Sequence, residues 1–146
     1  MNLNFYYAAV EKLEKAKWLP PLVARLTLAG VFIESGWGKI HNIEKVTEYF
    51  VSLKIPAAAF QAPFVAWNEL IVGILMLLGL ATRFASAPLI IMMTVAITTA
   101  KIEDIHEFTD VFSFSEFLFI VLALYLLITG PGAVSLDHWV RKKTRK

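Results

Sequence analysis

The chain reads as an all-α integral membrane protein, a bundle of four transmembrane helices preceded by a short N-terminal interfacial helix. Three observations predict this class. Of 146 residues, 58% are hydrophobic, above the about 45–50% of an ordinary soluble domain. Four apolar segments recur along the chain, and runs of about 20 such residues can cross a bilayer as helices. None of the four alternates in the manner of a strand, which favours helices throughout.

The elements follow in order. Leu3, Tyr6, Tyr7, Val10 and Leu13 recur at helical spacing with Lys12 and Lys15 set aside, the pattern of a helix lying on a membrane surface. The first span, Leu19–Ile40, is entered through Pro20-Pro21, where a missing amide costs nothing. Phe60–Leu80 is the second span. The short turn Ala81-Thr82-Arg83 leads into the third, Phe84–Ala100, so these two are antiparallel neighbours. Val111–Ile128 is the fourth, stopped by Gly130-Pro131-Gly132. Trp18 and Trp139 fall where amphipathic rings favour the interface. The domains are therefore 1–18, a cytoplasmic interfacial helix; 19–137, the transmembrane domain; and 138–146, a basic cytoplasmic tail.

Charge placement sets the orientation. Lys12, Lys15, Lys17, Arg83 and the run Arg141–Lys146 gather on one side. Lys39, Lys45, Lys54 and Lys101 lie on the other, diluted by Glu44, Glu48, Glu103, Asp104, Glu107 and Asp110. Lysine and arginine accumulate on the cytoplasmic side, so both termini are expected there. The tail Arg141–Lys146 is either a topology signal with no partner, the commoner case, or a binder of anionic lipid headgroups. A long charged segment precedes the first apolar run and no small-residue cleavage pattern follows it, so no signal peptide is expected.

Two charges are set within the apolar runs. Arg25 lies about six residues, roughly 9 Å, inside span one, and Glu69 about eleven residues, roughly 16 Å, inside span two. A charge at such depth is costly and is usually paired. Ala62, Ala66, Glu69 and Gly73 share one face of span two, as Arg25, Ala29, Phe32, Gly36 and Lys39 do on span one. Small residues let membrane helices approach closely. Arg25 and Glu69 are thus expected to face each other, either lining one polar cavity or pinning two helices together. Glu34 faces nearly opposite to Arg25 and can snorkel outward. Glu116 completes Ser113-x-x-Glu116, a capping-box pattern, or enters the cavity.

Other chemistries find little support. The chain has no cysteine, which excludes disulfides, thiol relays and iron–sulfur clusters. No histidine falls within a span to ligate a haem. Glu103, His106, Glu107 and Asp110 could share a helical face as a divalent-ion site, but a solvated acidic loop is the commoner case, and no metal is expected. Phosphate loops, nucleophile elbows and zinc motifs are missing, as is a basic groove with interleaved aromatics for nucleic acid.

Arg25, Gly30, Phe32, Gly36 and Lys39 come first in the chain. Glu69 and Gly73 follow, leading into Leu78-Gly79-Leu80-Ala81-Thr82-Arg83. Last is Gly130-Pro131-Gly132-Ala133-Val134-Ser135-Leu136-Asp137. Together and in this order they resemble the DoxX family. The resemblance implies a four-helix protein of the bacterial inner (plasma) membrane. Some relatives are associated with quinone-linked sulfur oxidation and others with membrane assemblies that resist oxidative stress. It carries Arg25, Gly36, Lys39, Glu69, Gly73, Thr82, Arg83, Gly132 and Asp137 as family positions; Glu34 lies outside the pattern.

Three functional readings stay open at this point. The first is a quinone- or lipid-binding subunit or accessory of a membrane redox system, with an oxidoreductase partner. The second is a structural or assembly protein without its own ligand. The third is a small proton-coupled transporter built on Glu34, Glu69 and Glu116, for which oligomerisation would be needed. No catalytic motif makes the chain an enzyme by itself, and quinone is the one cofactor class raised. Arg83 and Asp137 are expected to meet across the turn between spans two and three, with Ser135 capping a short helix through Trp139.

Overall fold

The computed structural model describes residues 3–144. The side chains of Leu3 and Tyr6 in the amphipathic stripe, and Arg145 and Lys146 of the tail, lie outside what it describes. Seven α-helices follow in order: α1 Leu3–Lys15, α2 Leu19–His41, α3 Ile43–Ser52, α4 Ala58–Leu78, α5 Thr82–Ala100, α6 Ser115–Thr129 and α7 Leu136–Thr144. Two 3-10 turns, Ile102–Asp104 and Phe108–Ser113, link α5 to α6. No strand occurs among the described residues.

The long helices pack as a ring, α2 against α4 and α6, and α5 against the same two. Leu28, Phe32, Met76, Leu89 and Leu126 fill its centre. Phe32 meets Phe119 edge-on at 5.6 Å between ring centroids, a favoured aromatic geometry. The closest approach is between α2 and α4. A Cβ on Gly36 would stand 2.5 Å from the Leu70 amide nitrogen, and one on Gly73 2.8 Å from that of Ile33. Each helix therefore places a glycine against the other's backbone.

Two helices, α4 and α5, are long and apolar enough to cross a membrane. Only 39% of the apolar window in α4 and 22% of that in α5 is buried. Phe64, Trp67, Ile71, Ile91 and Val95 instead stand exposed, an apolar surface too continuous for water. Of the four expected spans, the other two differ from α4 and α5. Helix α6 has 15 residues, about 22 Å at 1.5 Å per residue, because the start of the predicted fourth span, from Val111, falls in the 3-10 turn Phe108–Ser113. Helix α2 runs 23 residues but carries Arg25, Glu34 and Lys39, which dilute its apolarity. Helix α3 was not expected. Asn42 breaks the chain after α2, and Ile43, Val46 and Phe50 then turn one apolar face toward α4.

Candidate functional site

The expected meeting of Arg25 and Glu69 does not occur. Each is buried, but they belong to separate centres at opposite ends of the ring.

Arg25 sits where α4 stops and α6 stops. Its Nε donates to the Met76 carbonyl at 2.9 Å and its Nη2 to the Leu77 carbonyl at 3.0 Å. Its Nη1 donates to the carbonyls of Pro131 at 3.1 Å and Val134 at 2.6 Å. The last carbonyls of a helix have no partner within it and carry partial negative charge, so a guanidinium placed there satisfies both needs. Gly79 ends α4 at φ 65°, and a Cβ there would lie 2.5 Å from the Arg25 guanidinium carbon. That glycine is required twice over, for its backbone and for its missing side chain. Gly132 serves similarly, since its Cβ would fall 2.7 Å from Pro21.

Asp137 completes this clasp. Its Oδ1 accepts from the Ala81 amide at 2.8 Å and its Oδ2 from the Thr82 amide at 3.0 Å. Its own amide donates to the Gly79 carbonyl at 3.0 Å. The carboxylate thus caps the start of α5 from a distant part of the chain and holds Ala81 in a left-handed conformation, φ 49°, which costs a non-glycine residue about 1–2 kcal/mol. The expected Arg83–Asp137 pair is corrected: Asp137 fastens the turn through backbone amides, while Arg83 donates to the Ile128 carbonyl at 3.0 Å. Ser135 does cap α7, accepting from the His138 amide at 3.1 Å.

The second centre lies in the other half of the ring. Lys39 from α2 forms an ion pair and hydrogen bond with Glu69 Oε1 from α4. The Lys39 side chain is 29% exposed and that of Glu69 only 3%. Glu69 Oε2 is buried without a hydrogen-bond partner. Both residues line a cavity of about 640 Å³, within the range of small-molecule sites, roughly 300–1,000 Å³. Phe32, Phe64, Ile91 and Phe119 give it apolar walls, and Glu116 adds a second carboxylate.

Of the residues proposed for a polar cavity, Lys39, Glu69 and Glu116 are brought together around it, and Arg25 and Glu34 are not. Glu34 is exposed, because it lies two residues from each of the buried Phe32 and Gly36, on the far side of α2. Glu34 thus stands apart from Glu116, which lines the cavity. The Ser113–Glu116 capping box is also corrected: Ser113 Oγ donates to the Asp110 carbonyl, and α6 starts later, at Ser115. Lys45, Tyr49, Gln61 and Lys101 join the cavity lining unannounced. The spacing Ile43, Val46, Phe50 and Leu53 was the available signal for the first two, since it marks an amphipathic helix. In the acidic loop, Asp110 Oδ2 accepts from the amides of His106 at 2.9 Å and Glu107 at 2.8 Å. No group of carboxylates and histidines among the described residues is arranged to hold a metal.

Residues 21–102 match the family profile described as DoxX. The chain is 31% identical over 132 residues to the inner membrane protein YqjF of Escherichia coli, covering 84% of this chain and 92% of that protein. It is 33% identical over 137 residues to a membrane protein of Mycobacterium tuberculosis, with coverage of 85% and 84%. A Bacillus subtilis relative, CatD, provisionally named an oxidoreductase, is 29% identical over 121 residues, covering 83% and 87%. No solved structure matches the chain.

Proposed function

This chain belongs to the DoxX family of membrane proteins, and from that premise we propose that its far cavity binds the polar end of a quinone-class molecule or lipid for a membrane redox partner. In this reading all four long helices cross the bacterial inner membrane, with both termini in the cytoplasm. The observation that carries it is the half-satisfied Glu69. Oε1 is held by Lys39, whereas Oε2 is buried beside an apolar cavity with no donor. A buried carboxylate oxygen left unpaired is expensive, so the site is complementary to a ligand bearing a hydroxyl on an apolar body, which in the quinone class is the reduced quinol form. Such a hydroxyl would donate to Oε2 and accept from the remaining N–H groups of Lys39, while Phe32, Phe64 and Phe119 hold the ring or chain. The naming of CatD as an oxidoreductase supports the redox setting.

The test is mass spectrometry of what co-purifies with the chain in mild detergent. A stoichiometric quinone or lipid is expected from the natural protein. The double substitution Lys39→Met with Glu69→Leu should lose it while remaining folded. An empty cavity in both, or equal retention by both, would overturn the reading. A scaffold role without ligand is the second reading. It is favoured by the clasp, where Arg25, Gly79, Gly132 and Asp137 are all consumed in joining helix ends. Recovery of a partner protein alone would select it.

A further inference from the structure

A smaller cleft of about 180 Å³ opens at the clasp end, lined by Arg83, Thr129, Gly130, Pro131, Gly132, His138 and Arg141. Its volume is several times the roughly 30 Å³ share of one water molecule, enough for a tetrahedral oxyanion. Two of its side chains are guanidinium groups and a third is an imidazole, and no carboxylate lines it. Asp137, the nearest acid in sequence, is turned onto the Ala81 and Thr82 amides. The carbonyls at the end of α6 would repel an anion, but Arg83 Nη2 already covers that of Ile128. Gly130 keeps this arrangement open: at φ 84°, a Cβ there would lie 3.3 Å from Arg83 Nε.

The rim is as informative as the floor. Phe84, next to Arg83, is 85% exposed, and Ile128, next to Thr129, is 68% exposed. Trp139 and Val140, between His138 and Arg141, are exposed as well. A site for free phosphate needs no such border. Planar guanidinium groups recognise phosphate oxygens through paired N–H donors, and basic clefts beside membrane helices take anionic headgroups. We infer that the cleft between Arg83, His138 and Arg141 is a binding site for the phosphate of an anionic phospholipid, whose acyl chains lie along Phe84 and Ile128. A zwitterionic lipid fits worse, because its ammonium group would face the arginines.

The experiment uses the delipidated full-length chain in detergent, titrated with dioleoyl phosphatidylglycerol or dioleoyl phosphatidylcholine and read by native mass spectrometry. One phosphatidylglycerol per chain should be retained about tenfold over phosphatidylcholine, from two arginines at about fivefold each and some loss to screening. Among the described residues Arg141 has no hydrogen bond or ion pair on which folding depends, so Arg141→Gln should fold normally and retain phosphatidylglycerol about fivefold less. Lys142→Gln removes the same charge one residue away, outside the cleft, and should change retention less than about twofold. Equal retention of the two lipids would overturn the proposal, as would an equal effect of Lys142→Gln and Arg141→Gln. Complete displacement of phosphatidylglycerol by millimolar inorganic phosphate would also overturn it, assigning the cleft to the free ion.

Discussion

The two ends of the ring each hold a buried charge that came from an apolar helix, and they satisfy it in opposite ways. At the clasp, Arg25 meets four backbone carbonyls and Asp137 two backbone amides. Backbone groups at helix ends are fixed in place, so each nitrogen of the Arg25 guanidinium and each oxygen of the Asp137 carboxylate has a partner within the fold. At the cavity, Lys39 and Glu69 satisfy one another in part, with one carboxylate oxygen left over beside open space. Burial alone therefore did not separate structure from function. What separates them is whether a buried charged atom is left without a partner, as Glu69 Oε2 is.

If this contrast is right, substitutions at the clasp should act on stability and those at the cavity on ligand retention. The largest effect is expected from Arg25→Met, which strands several buried carbonyls at about 1–3 kcal/mol each. A loss of about 3–5 kcal/mol, read by thermal unfolding in detergent, would leave little folded protein. A mild loss of stability with loss of ligand would break the contrast, by placing Arg25 with the cavity.

Asp137→Ala should cost about 1–2 kcal/mol, the scale of a lost helix cap, offset in part wherever the turn relaxes and releases the strain at Ala81. Asp137→Asn keeps one acceptor oxygen and should recover part of that loss. Were Asp137→Asn as damaging as Asp137→Ala, the charge rather than the capping geometry would carry the effect.

A smaller change in stability is expected from Lys39→Met with Glu69→Leu. Replacing a buried ion pair by apolar residues of similar size is often neutral, so unfolding should move by less than about 1 kcal/mol in either direction. A collapse comparable to Arg25→Met would mean that the cavity pair is as structural as the clasp.

The smallest effect concerns the loop between α5 and α6. The Glu107 and His106 amides hold the Asp110 carboxylate below its usual range. A depressed carboxylate stabilises the fold above its unfolded value, about 3.9, and that contribution is lost as pH falls through the lowered folded value. Loop protection measured by hydrogen exchange should therefore be flat from pH 8 to about pH 5 and should fall in stronger acid. Asp110→Asn should weaken that acid dependence. An unchanged profile would show that the loop is closed by other contacts.

Much of this protein was legible in its residues. Apolar length and the absence of alternation determined an all-helical membrane chain. Gly130-Pro131-Gly132 marked the end of α6, and the small residues facing Arg25 and Glu69 marked the sides on which α2 and α4 meet. Gly36 and Gly73 prove to be the contact points of those two helices. The burial of both charges was legible too, because charges so deep in an apolar run must be enclosed by the protein.

Their partners were not. The sequence paired Arg25 with Glu69 because opposite charges are the only partners that side chains announce. Tertiary structure instead gave Arg25 the carbonyls of Met76, Leu77, Pro131 and Val134, groups that every residue carries and no sequence pattern distinguishes. It likewise gave Asp137 the amides of Ala81 and Thr82 rather than Arg83. Burial follows from composition along one helix, whereas the identity of a hydrogen-bond partner depends on where separate helices end relative to one another, and that is decided only when the helices pack.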